Sequence, residues 1–594
     1  MSSKRFYSGI KLTEVRIRNF RSLRKVDMTL NWLTVFIGEN NAGKSNFIDA
    51  IKIAIGSGVK RVEREDIYID PNETNPPEER EALIDIKIQP TDETGTIVSK
   101  FTEENYWLGH WGEGISQEDN LDEFVGIRTR IYWNKDELKY DIERKYLKEW
   151  TKDPESLSLS SLKMTVGFDR IEPISLYVLD TNRDVKTDIE RSSSIWHQMV
   201  SNVRLDENES KEIVDMISYI NKRVSETEVL NEIKGDLNEL NRTFNSESDG
   251  VSITTIPSRV RDLTDNVGIG FTTKGSSSFP IERHSSGTRS VASVLIFKAF
   301  IDWKIKTNPG LGIHPLLALE EPESHLHPQA EISFYTLVRD MIGQKIISTH
   351  SSWLASQISL TDLRYFYKNA NDTVTVSIEK PTLTDEDELL IRRKALKTHG
   401  DILFSRAMIL YEGEETEDQA IPIFAMNYWG QDHTALGISM VNVNGLNYYP
   451  FLLLATRFQI RWYIFSDGEV GPTKAVENAV LKVGRTISDP NIFIIPDGKN
   501  FEEYVSSEEY RDVLAEMIAE TKGTNKLHKE AALKEFKQAS LEKISKELST
   551  HKLVYASRVA RAIVNMKDVN LRVPGVVREL FEKVSDDLGL KKGS

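Results

Sequence analysis

The stretch GENNAGKS, from Gly38 to Ser45, decides the fold of the first part of this chain. It matches the spacing GxxxxGK followed by Ser or Thr, in which glycines let backbone amides bend around a phosphate, while a lysine and a hydroxyl reach phosphate oxygens and magnesium. The apolar run Leu33 to Ile37 precedes it, and Asn46 to Ile55 follows with helical character. A strand, a loop and a helix N-terminus in this order predict a nucleotide-phosphate site.

The loop supplies the residues that we assign to ATP and its magnesium ion. The assigned ATP-binding residues are Gly38, Asn40, Asn41, Gly43, Lys44 and Ser45. The Ser45 hydroxyl is also assigned to Mg²⁺ because a hydroxyl at this position of the pattern binds the metal.

The composition is that of an ordinary globular protein, with 594 residues, 39% hydrophobic and 28% charged residues, and a net charge of -15. There is no cysteine, which excludes disulfides and thiolate metal sites. No apolar run reaches the roughly 18 residues that cross a membrane, and the N-terminus lacks the apolar core of a secretion signal. We therefore expect a cytoplasmic protein without a membrane partner.

The negative net charge leaves room for a local basic surface, and one candidate lies between Lys522 and Lys552. Lysines outnumber glutamates in this stretch, on a helical pattern of apolar residues. The stretch is either a DNA contact or, as the preferred interpretation, a solvated helix face.

Hydrolysis of ATP needs an acidic strand end that holds magnesium and a base for the attacking water. The sequence HPLLALEEPESHLHP, from His314 to Pro328, supplies both. Its buried strand, Pro315 to Leu319, ends at two glutamates. By position, Glu320 is assigned to magnesium, and Glu321 is assigned to orient or deprotonate the water.

Two further segments complete the predicted site. HSSGTRS, at residues 284–290, precedes an apolar helix, so Ser285 and Gly287 lie at a helix N-terminus suited to a γ-phosphate. KIISTHSS, at residues 345–352, has His350 just after a strand. The order of these motifs resembles the ABC-type ATPases related to the SMC and RecF proteins. The resemblance implies that His350 is a catalytic switch and that a head-to-tail homodimer closes each ATP site.

Apolar residues recur every three or four positions between Ile213 and Leu240. This spacing is typical of a coiled-coil seam or a long helical hairpin. An intramolecular hairpin and a dimer contact both remain open.

Acids follow three apolar runs in the last third of the chain. The run Ala407 to Tyr411 ends at Glu412, the run Ile460 to Phe465 leads to Asp467 and Glu469, and the run Asn491 to Ile495 leads to Asp497, Glu502 and Glu503. The carboxyl ends of parallel strands share one edge of a sheet, so the acids are expected to lie close together. Carboxylate oxygens favour Mg²⁺ or Mn²⁺, and paired ions of this kind hydrolyse phosphodiesters.

This arrangement resembles a Toprim domain, whose pattern is a strand, EGxxE, a second strand and DxD. Behind an ABC-type ATPase, it resembles the OLD (overcoming lysogenization defect) family of ATP-dependent endonucleases. Glu412 matches the first glutamate and Asp467 the first aspartate. The second acid of EGxxE falls on Thr416, so either Glu415 or Glu417 must substitute.

The resemblance implies a set of metal ligands and a late lysine. The assigned ligands of the second site are Glu412, Glu415, Glu417, Asp467, Glu469 and Glu503. Glu412 and Asp467 are also assigned as catalytic. Lys552 is the candidate for the lysine that neutralises charge on the scissile phosphate.

We therefore predict an α/β protein with ABC-type ATPase parts at residues 1–190 and 251–400, a helical dimerisation insert at 191–250, and a Toprim nuclease domain, a parallel sheet flanked by helices, at 401–594. The resemblance implies an ATP-regulated, divalent-metal-dependent DNA endonuclease that nicks DNA or cleaves both strands. It implies DNA and a homodimer or higher homo-oligomer as partners. It also implies a role in antiphage defence, in some members beside a helicase or a retron.

Two rival functions follow from the same motifs. An ATP-driven DNA-binding sensor or clamp of the SMC or RecF type, with a non-catalytic Toprim domain, remains open. A topoisomerase needs a tyrosine nucleophile in a DNA-gate domain, and a primase needs a polymerising partner fold. The sequence offers neither.

Overall fold

A computed structural model of the protein describes residues 9–56, 61–103, 106–180, 207–225, 270–271, 279–280, 285–307, 312–324, 326–378, 383–413 and 416–591. Of the predicted helical insert at 191–250, the described part is the helix Glu207–Ser225. The rest of that prediction, including the part of the apolar repeat that follows Ser225, lies outside the described residues.

Strands dominate the first part of the chain and alternate with helices later. In the described ranges the strands are β1 (Ile10–Phe20), β2 (Leu23–Thr29), β3 (Leu33–Gly38), β4 (Ala82–Pro90), β5 (Ile115–Gln117), β6 (Glu123–Asn134), β7 (Lys139–Leu147), β8 (Leu162–Thr165), β9 (Leu176–Asp180), β10 (Gly270–Phe271), β11 (Phe279–Pro280), β12 (Leu316–Glu320), β13 (Gln344–Ser348), β14 (Leu363–Asn369), β15 (Asp372–Ser377), β16 (Ala407–Tyr411), β17 (Ile438–Asn442), β18 (Arg461–Ser466) and β19 (Ile492–Ile494).

The helices of the described ranges are α1 (Lys44–Ile55), α2 (Tyr106–Trp111), α3 (Phe168–Ile171), α4 (Glu207–Ser225), α5 (Ser286–Thr307), α6 (Pro328–Arg339), α7 (Ser352–Gln357), α8 (Asp385–Ile391), α9 (Thr416–Trp429), α10 (Tyr448–Phe458), α11 (Val470–Lys482), α12 (Phe501–Val505), α13 (Arg511–Lys522), α14 (Lys526–Lys537), α15 (Leu541–Thr550), α16 (Lys552–Val564) and α17 (Gly575–Leu588). None of these described helices is both long and apolar enough to span a membrane.

The N-terminal sheet is antiparallel, with the strand order β2-β1-β4-β6-β7-β8 and with β5 paired to β6. Its buried side chains pack with those of helix α1 in one cluster. Isoleucines such as Ile84, Ile86 and Ile88 of β4 are fully buried there. Strands β4 and β6 of this sheet therefore support the helix that follows the phosphate loop.

The central sheet carries the nucleotide motifs and has the order β15-β14-β3-β13-β12-β9. Its strands are parallel except for the terminal hairpin of β14 and β15. Strand β3 is a buried run of apolar residues, as expected for a parallel strand covered on both faces. The loops after β3, β12 and β13 therefore meet at one edge, where ligands bind in open α/β sheets.

The third sheet is fully parallel, with the order β17-β16-β18-β19. The three predicted strands are confirmed as β16, β18 and β19, which are adjacent. Strand β16 is completely buried, and the C-terminal helices pack on the same sheet through a core that includes Tyr463, Phe465 and Phe581. The acids after the three strands therefore lie along one edge.

One continuous cluster of buried side chains joins the central sheet to the third sheet. It contains Val35 and Ile37 of β3 together with Met408 and Leu410 of β16. The strand that leads into the phosphate loop and the strand that leads to Glu412 therefore share a hydrophobic core. The two sheets are packed parts of one body rather than units joined by a tether.

Candidate active sites

The phosphate loop begins and ends at glycines that hold backbone angles a side chain would oppose. Gly38 has φ of 129°, and a Cβ there would lie 1.9 Å from the carbonyl oxygen of Phe366. Gly43 has φ of 106° and starts helix α1. Asn40 and Asn41 form the exposed tip of the loop between them. The loop therefore has the shape that brings backbone amides towards an anion.

The Lys44 ammonium folds back on this loop. Its Nζ donates to the carbonyl oxygens of Gly38 at 2.8 Å and Glu39 at 2.9 Å. Burial lowers the pKa of Lys44 to about 8, against the opposing effect of Glu321 and Glu323. A phosphate beside Lys44 favours its charged form.

Ser45 and Glu320 lie together as the magnesium assignment requires. The Ser45 hydroxyl donates to Oε2 of Glu320 at 2.6 Å, across 275 positions of sequence. Glu320 is the last residue of β12, which ends at the same edge of the sheet as β3. Its carboxylate therefore reaches the loop that follows β3. A hydroxyl and a carboxylate are oxygen ligands that would suit a hard cation such as Mg²⁺.

Glu321 and His350 face each other beside the same loop. His350 Nε2 lies 3.5 Å from Oε1 of Glu321. Glu321 has a positive φ of 43°, and its backbone N–H donates to the carbonyl of Ser348 at 2.9 Å. Burial and the charge of Lys44 lower the pKa of His350, against the effect of Glu321.

Sequence reasoning missed Glu323, which holds the histidine segment in place. Its Oε1 accepts the Thr349 hydroxyl at 2.8 Å and the backbone N–H of His350 at 2.7 Å. Burial raises the pKa of Glu323. The only signal in the sequence is a third acid shortly after the predicted strand.

Ser285 and Gly287 lie at the N-terminus of helix α5, as predicted. The Ser285 hydroxyl accepts the backbone N–H of Thr288 at 3.3 Å, which caps the helix. The hydrogen bonds described for Ser285 lie within this turn. Its role at a γ-phosphate stays a prediction, as does the dimer in which it would act.

The acids of the third sheet come together at the ends of β16 and β18. Oε1 of Glu412 accepts the Ser466 hydroxyl at 3.0 Å and the backbone N–H of Asp467 at 2.9 Å. Glu417, in the first turn of α9, is 4% exposed. Gly413 leaves room for it, because a Cβ at Gly413 would lie 1.6 Å from Oε2 of Glu417.

Glu502 and Lys552 complete the group. Glu502, in helix α12, is 2% exposed and accepts the Thr416 hydroxyl on Oε1 at 2.7 Å. The Lys552 ammonium lies 3.1 Å from the same oxygen. We call Glu412, Glu417, Asp467 and Glu502 the carboxylate cluster.

The carboxylate cluster concentrates negative charge in a buried place. Burial raises the pKa of Glu412 and of Asp467 to about 7, and that of Glu417 to about 8. The charge of Asp467 adds to the rise for the two glutamates. Although burial acts to lower it, the pKa of Lys552 is raised by the carboxylates, chiefly Glu502. Such mutual effects are typical of functional sites.

Three buried carboxylate oxygens of the cluster have no hydrogen-bond partner among the described residues. They are Oε2 of Glu412, Oδ1 of Asp467 and Oε2 of Glu502. Buried acceptors without donors are costly, and a divalent cation satisfies several at once. In the described ranges, however, no three acidic or histidine side chains are gathered closely enough to hold a metal ion. The residues fit a cation chemically, and binding requires their carboxylates to draw together.

Two of the assigned ligands, Glu503 and Glu469, have exposed side chains apart from the cluster. Glu503 is exposed and caps helix α12, accepting the Asn500 backbone N–H at 3.2 Å. Glu503 therefore lies outside the cluster, where the neighbouring Glu502 is buried instead, and the role of Glu503 as a metal ligand stays a prediction. Glu469 is exposed at the N-cap of α11 and contributes through its charge on Asp467. Glu415 lies outside the described residues.

The lysine-rich stretch folds as α14 and α15 with the flanking ends of α13 and α16. Several of its lysines pair with acids, such as Lys522 with Glu547 at 2.8 Å and Lys543 with Glu535 at 2.7 Å. These pairs are consistent with a solvated face, and DNA contact there stays a hypothesis.

Comparison with family models matches residues 10–355 to an AAA ATPase domain. Residues 403–468 match the TOPRIM domain of overcoming lysogenization defect protein-like proteins. The Old nuclease of Escherichia phage P2 is 24% identical over 461 residues, which cover 73% of this chain and 73% of that protein. The OLD nuclease of Thermus scotoductus is 24% identical over 466 residues, covering 73% of this chain and 77% of that protein.

Two solved structures are similar to parts of the chain, with low TM-scores. The SMC head domain from Thermotoga maritima has 13% identity and a TM-score of 0.31, covering 62% of this chain and 100% of that one. The C-terminal region of the Burkholderia pseudomallei OLD protein has 19% identity and a TM-score of 0.25, covering 31% of this chain and 99% of that one. The family of the chain is assigned from the family models, and the ATPase model alone matches more than half of the chain. The chain belongs to the OLD family, with an AAA ATPase domain followed by a Toprim domain.

Proposed function

We propose that this protein is an ATP-regulated DNA endonuclease that requires a divalent cation, magnesium or manganese. The observation that carries the proposal is the carboxylate cluster, with unpartnered buried oxygens on Glu412, Asp467 and Glu502. The nuclease names of the phage P2 and Thermus scotoductus relatives support the same reaction.

In this proposal the carboxylate cluster binds the cation, and Lys552 neutralises negative charge on the phosphate. A bound divalent cation supplies an activated water and steadies the leaving oxygen of a phosphodiester. Ser466 and the Asp467 amide hold Glu412 by one oxygen and leave the other for the cation. The Lys552 side chain is 39% exposed, so its ammonium can reach a phosphate from the solvent side. There it neutralises charge that develops on the scissile phosphate.

The ATP site of this proposal uses the residues around the phosphate loop. In it, Ser45 and Glu320 would hold magnesium, Glu321 would orient the attacking water, and His350 would contact the γ-phosphate. Ser285 and Gly287 close the ATP site of a second copy in a head-to-tail dimer. Both residues lie at the N-terminus of α5, where backbone amides suit an anion.

Control of cleavage by ATP is supported by the packing between the two sites. The Glu39 carboxylate in the phosphate loop lies 3.7 Å from the guanidinium of Arg406, which directly precedes β16. The His350 ring lies 6.1 Å from the ring of Phe404, in the turn before that strand. Because β3 and β16 share a core, a change at the γ-phosphate has a short packed route to Glu412.

Plasmid cleavage tests the proposal directly. Purified protein with supercoiled plasmid and Mn²⁺ is expected to give nicked or linear DNA, and Asp467→Ala is expected to give none. Asp497→Ala is the matched control, because Asp497 is exposed and pairs with Lys499 outside the cluster. Intact supercoiled plasmid with the wild type would support the alternative, an ATP-driven sensor or clamp whose acids do not catalyse.

The resemblance to the OLD family also suggests a cellular location and a biological role. We place the protein in the cytoplasm, in antiphage defence, alone or beside a helicase or a retron. Loss of phage protection in an Asp467→Ala strain, with unchanged protein levels, is the expected result.

A further inference from the structure

We infer that Thr416 is a positioning residue for the nuclease site, holding Glu502 so that one carboxylate oxygen faces the cluster. The inference rests on the proposed function, because it concerns the same cation site. It assigns a task to the residue at which the chain departs from the EGxxE pattern.

The contact between Thr416 and Glu502 is short and shielded from water. The Thr416 hydroxyl donates to Oε1 of Glu502 at 2.7 Å, and the two residues are 3% and 2% exposed. They are 86 positions apart in the sequence, at the starts of helices α9 and α12. A hydrogen bond to a buried charged group is among the stronger polar contacts of a protein.

Both donors to Glu502 use the same oxygen. Lys552 Nζ lies 3.1 Å from Oε1, the atom that already accepts the Thr416 hydroxyl. Oε2 is left buried and without a partner among the described residues. The two donors thus fix the rotation of the carboxylate, and the oxygen that remains is the one available to a cation.

Thr416 stands four positions after Glu412, where EGxxE expects its second acid. Glu417, one position later, is 4% exposed, so both side chains of this first helical turn lie inside. Glu417 thus supplies the second carboxylate one residue later than the pattern expects. Thr416, at the expected position, supplies a hydrogen-bond donor. Such outer contacts to a metal ligand change metal affinity about 10- to 100-fold when removed.

The test compares three substitutions, two of which remove a threonine hydroxyl and one of which keeps it. Thr416→Val keeps the shape and removes the donor, whereas Thr416→Ser keeps the donor. Thr473→Val makes the same change at a buried hydroxyl that has no partner among the described residues. Mn²⁺ binding is measured in full-length protein without DNA, from the electron paramagnetic resonance signal of free Mn²⁺.

Thr416→Val is expected to raise the Mn²⁺ dissociation constant about tenfold or more, while Thr416→Ser and Thr473→Val stay near wild type. The half-saturating Mn²⁺ concentration for plasmid cleavage is expected to shift with it, while the rate at saturating Mn²⁺ changes less. Should Thr416→Val not fold, Thr416→Cys makes the same test, because a thiol is only a weak donor.

Wild-type Mn²⁺ affinity in Thr416→Val, or equal losses in Thr416→Val and Thr416→Ser, would overturn the positioning role. That result leaves the proposed function standing if the wild type binds Mn²⁺ and cuts plasmid. If the wild type does neither, the proposed function and this inference fail together.

Discussion

The ATP site and the carboxylate cluster differ in how many of their buried polar atoms have hydrogen-bond partners. Around the phosphate loop, Lys44 is paired with loop carbonyls and Ser45 with Glu320, while Oε2 of Glu323 is buried without a partner among the described residues. In the cluster, carboxylate oxygens of Glu412 and Asp467 are buried without a partner in the described part of the chain. The main charged groups of the first site are paired with one another or with the backbone, whereas in the second site burial raises the pKa of Glu412 and Asp467.

The difference follows from how each site is encoded. The phosphate loop is one contiguous stretch whose glycines and helix N-terminus set its shape locally. The carboxylate cluster is assembled from three segments, which carry Glu412 with Glu417, Asp467, and Glu502, and Lys552 comes from a fourth. We therefore expect mutations in the two sites to separate ATP turnover from DNA cleavage.

The largest expected effect is the loss of cleavage in Asp467→Asn. The substitution keeps the shape but removes a charge that the cation needs, so the plasmid cleavage rate should fall about 10³-fold or more. ATP turnover should stay near wild type, measured by phosphate release. Loss of both activities would mean that the two sites are not separable or that the variant is misfolded.

The next effect lies in the ATP site. Glu321→Gln removes the proposed base and should lower ATP turnover about 10²-fold or more while ATP still binds. We expect the ATP-bound dimer to accumulate, observed by light scattering after size-exclusion chromatography. Lys44→Ala, which should abolish ATP binding, is the control without a dimer. Undiminished turnover in Glu321→Gln would remove Glu321 as the base.

Stability should depend on pH through the cluster. The pKa of Glu412 is raised from 4.5 to about 7, so the folded protein keeps a proton that the unfolded chain releases. The free energy of unfolding of the metal-free protein should therefore fall as pH rises between these values. Asp467 acts in the same direction, since its pKa is raised from 3.8 to about 7.

Urea unfolding at pH 5 and pH 7, with and without Mn²⁺, measures this effect. We expect Mn²⁺ to stabilise more at the higher pH, because metal binding needs ionised carboxylates and releases protons. Asp467→Asn should show a shallower fall with pH. Stability of the metal-free wild type that rises with pH across this window would contradict the charge assignment.

The smallest expected effect concerns the link between the sites. Arg406→Gln removes the pairing with Glu39, a partly exposed contact of about 1 kcal/mol or less. Cleavage without ATP should stay at the wild-type level, while the change that ATP causes should shrink by about fivefold or less. Arg485→Gln, which removes the pairing of the exposed Arg485 with Asp489, is the control. An unchanged response to ATP in Arg406→Gln would exclude this contact as part of the route.

Sequence patterns predicted the contiguous features well. Strands β3, β16 and β18 and helix α1 lie where the apolar runs and glycines indicated. Ser45 and Glu320 were paired from the phosphate-loop pattern and the strand end alone, and they are in contact. These features depend on neighbours in the chain, which a sequence displays directly.

The choice among adjacent acids could not be predicted because tertiary packing sets how a short helix is turned. Phe501 is fully buried, and it turns Glu502 inwards and Glu503 outwards. Asn500 and Glu503 form a capping box, a signal that marks Glu503 as occupied at the helix start. The pairing of Thr416 with Glu502 has no sequence signal, since it depends on where two distant helices begin.

Anomalous diffraction from crystals soaked in Mn²⁺ is the most direct measurement of the central claim, that the carboxylate cluster is a cation site. The account predicts anomalous density within coordination distance of Glu412 and Asp467, with the Oε2 atom of Glu502 turned towards it. Anomalous density at the phosphate loop and none at the cluster, in crystals of protein that cuts plasmid with Mn²⁺, would contradict it.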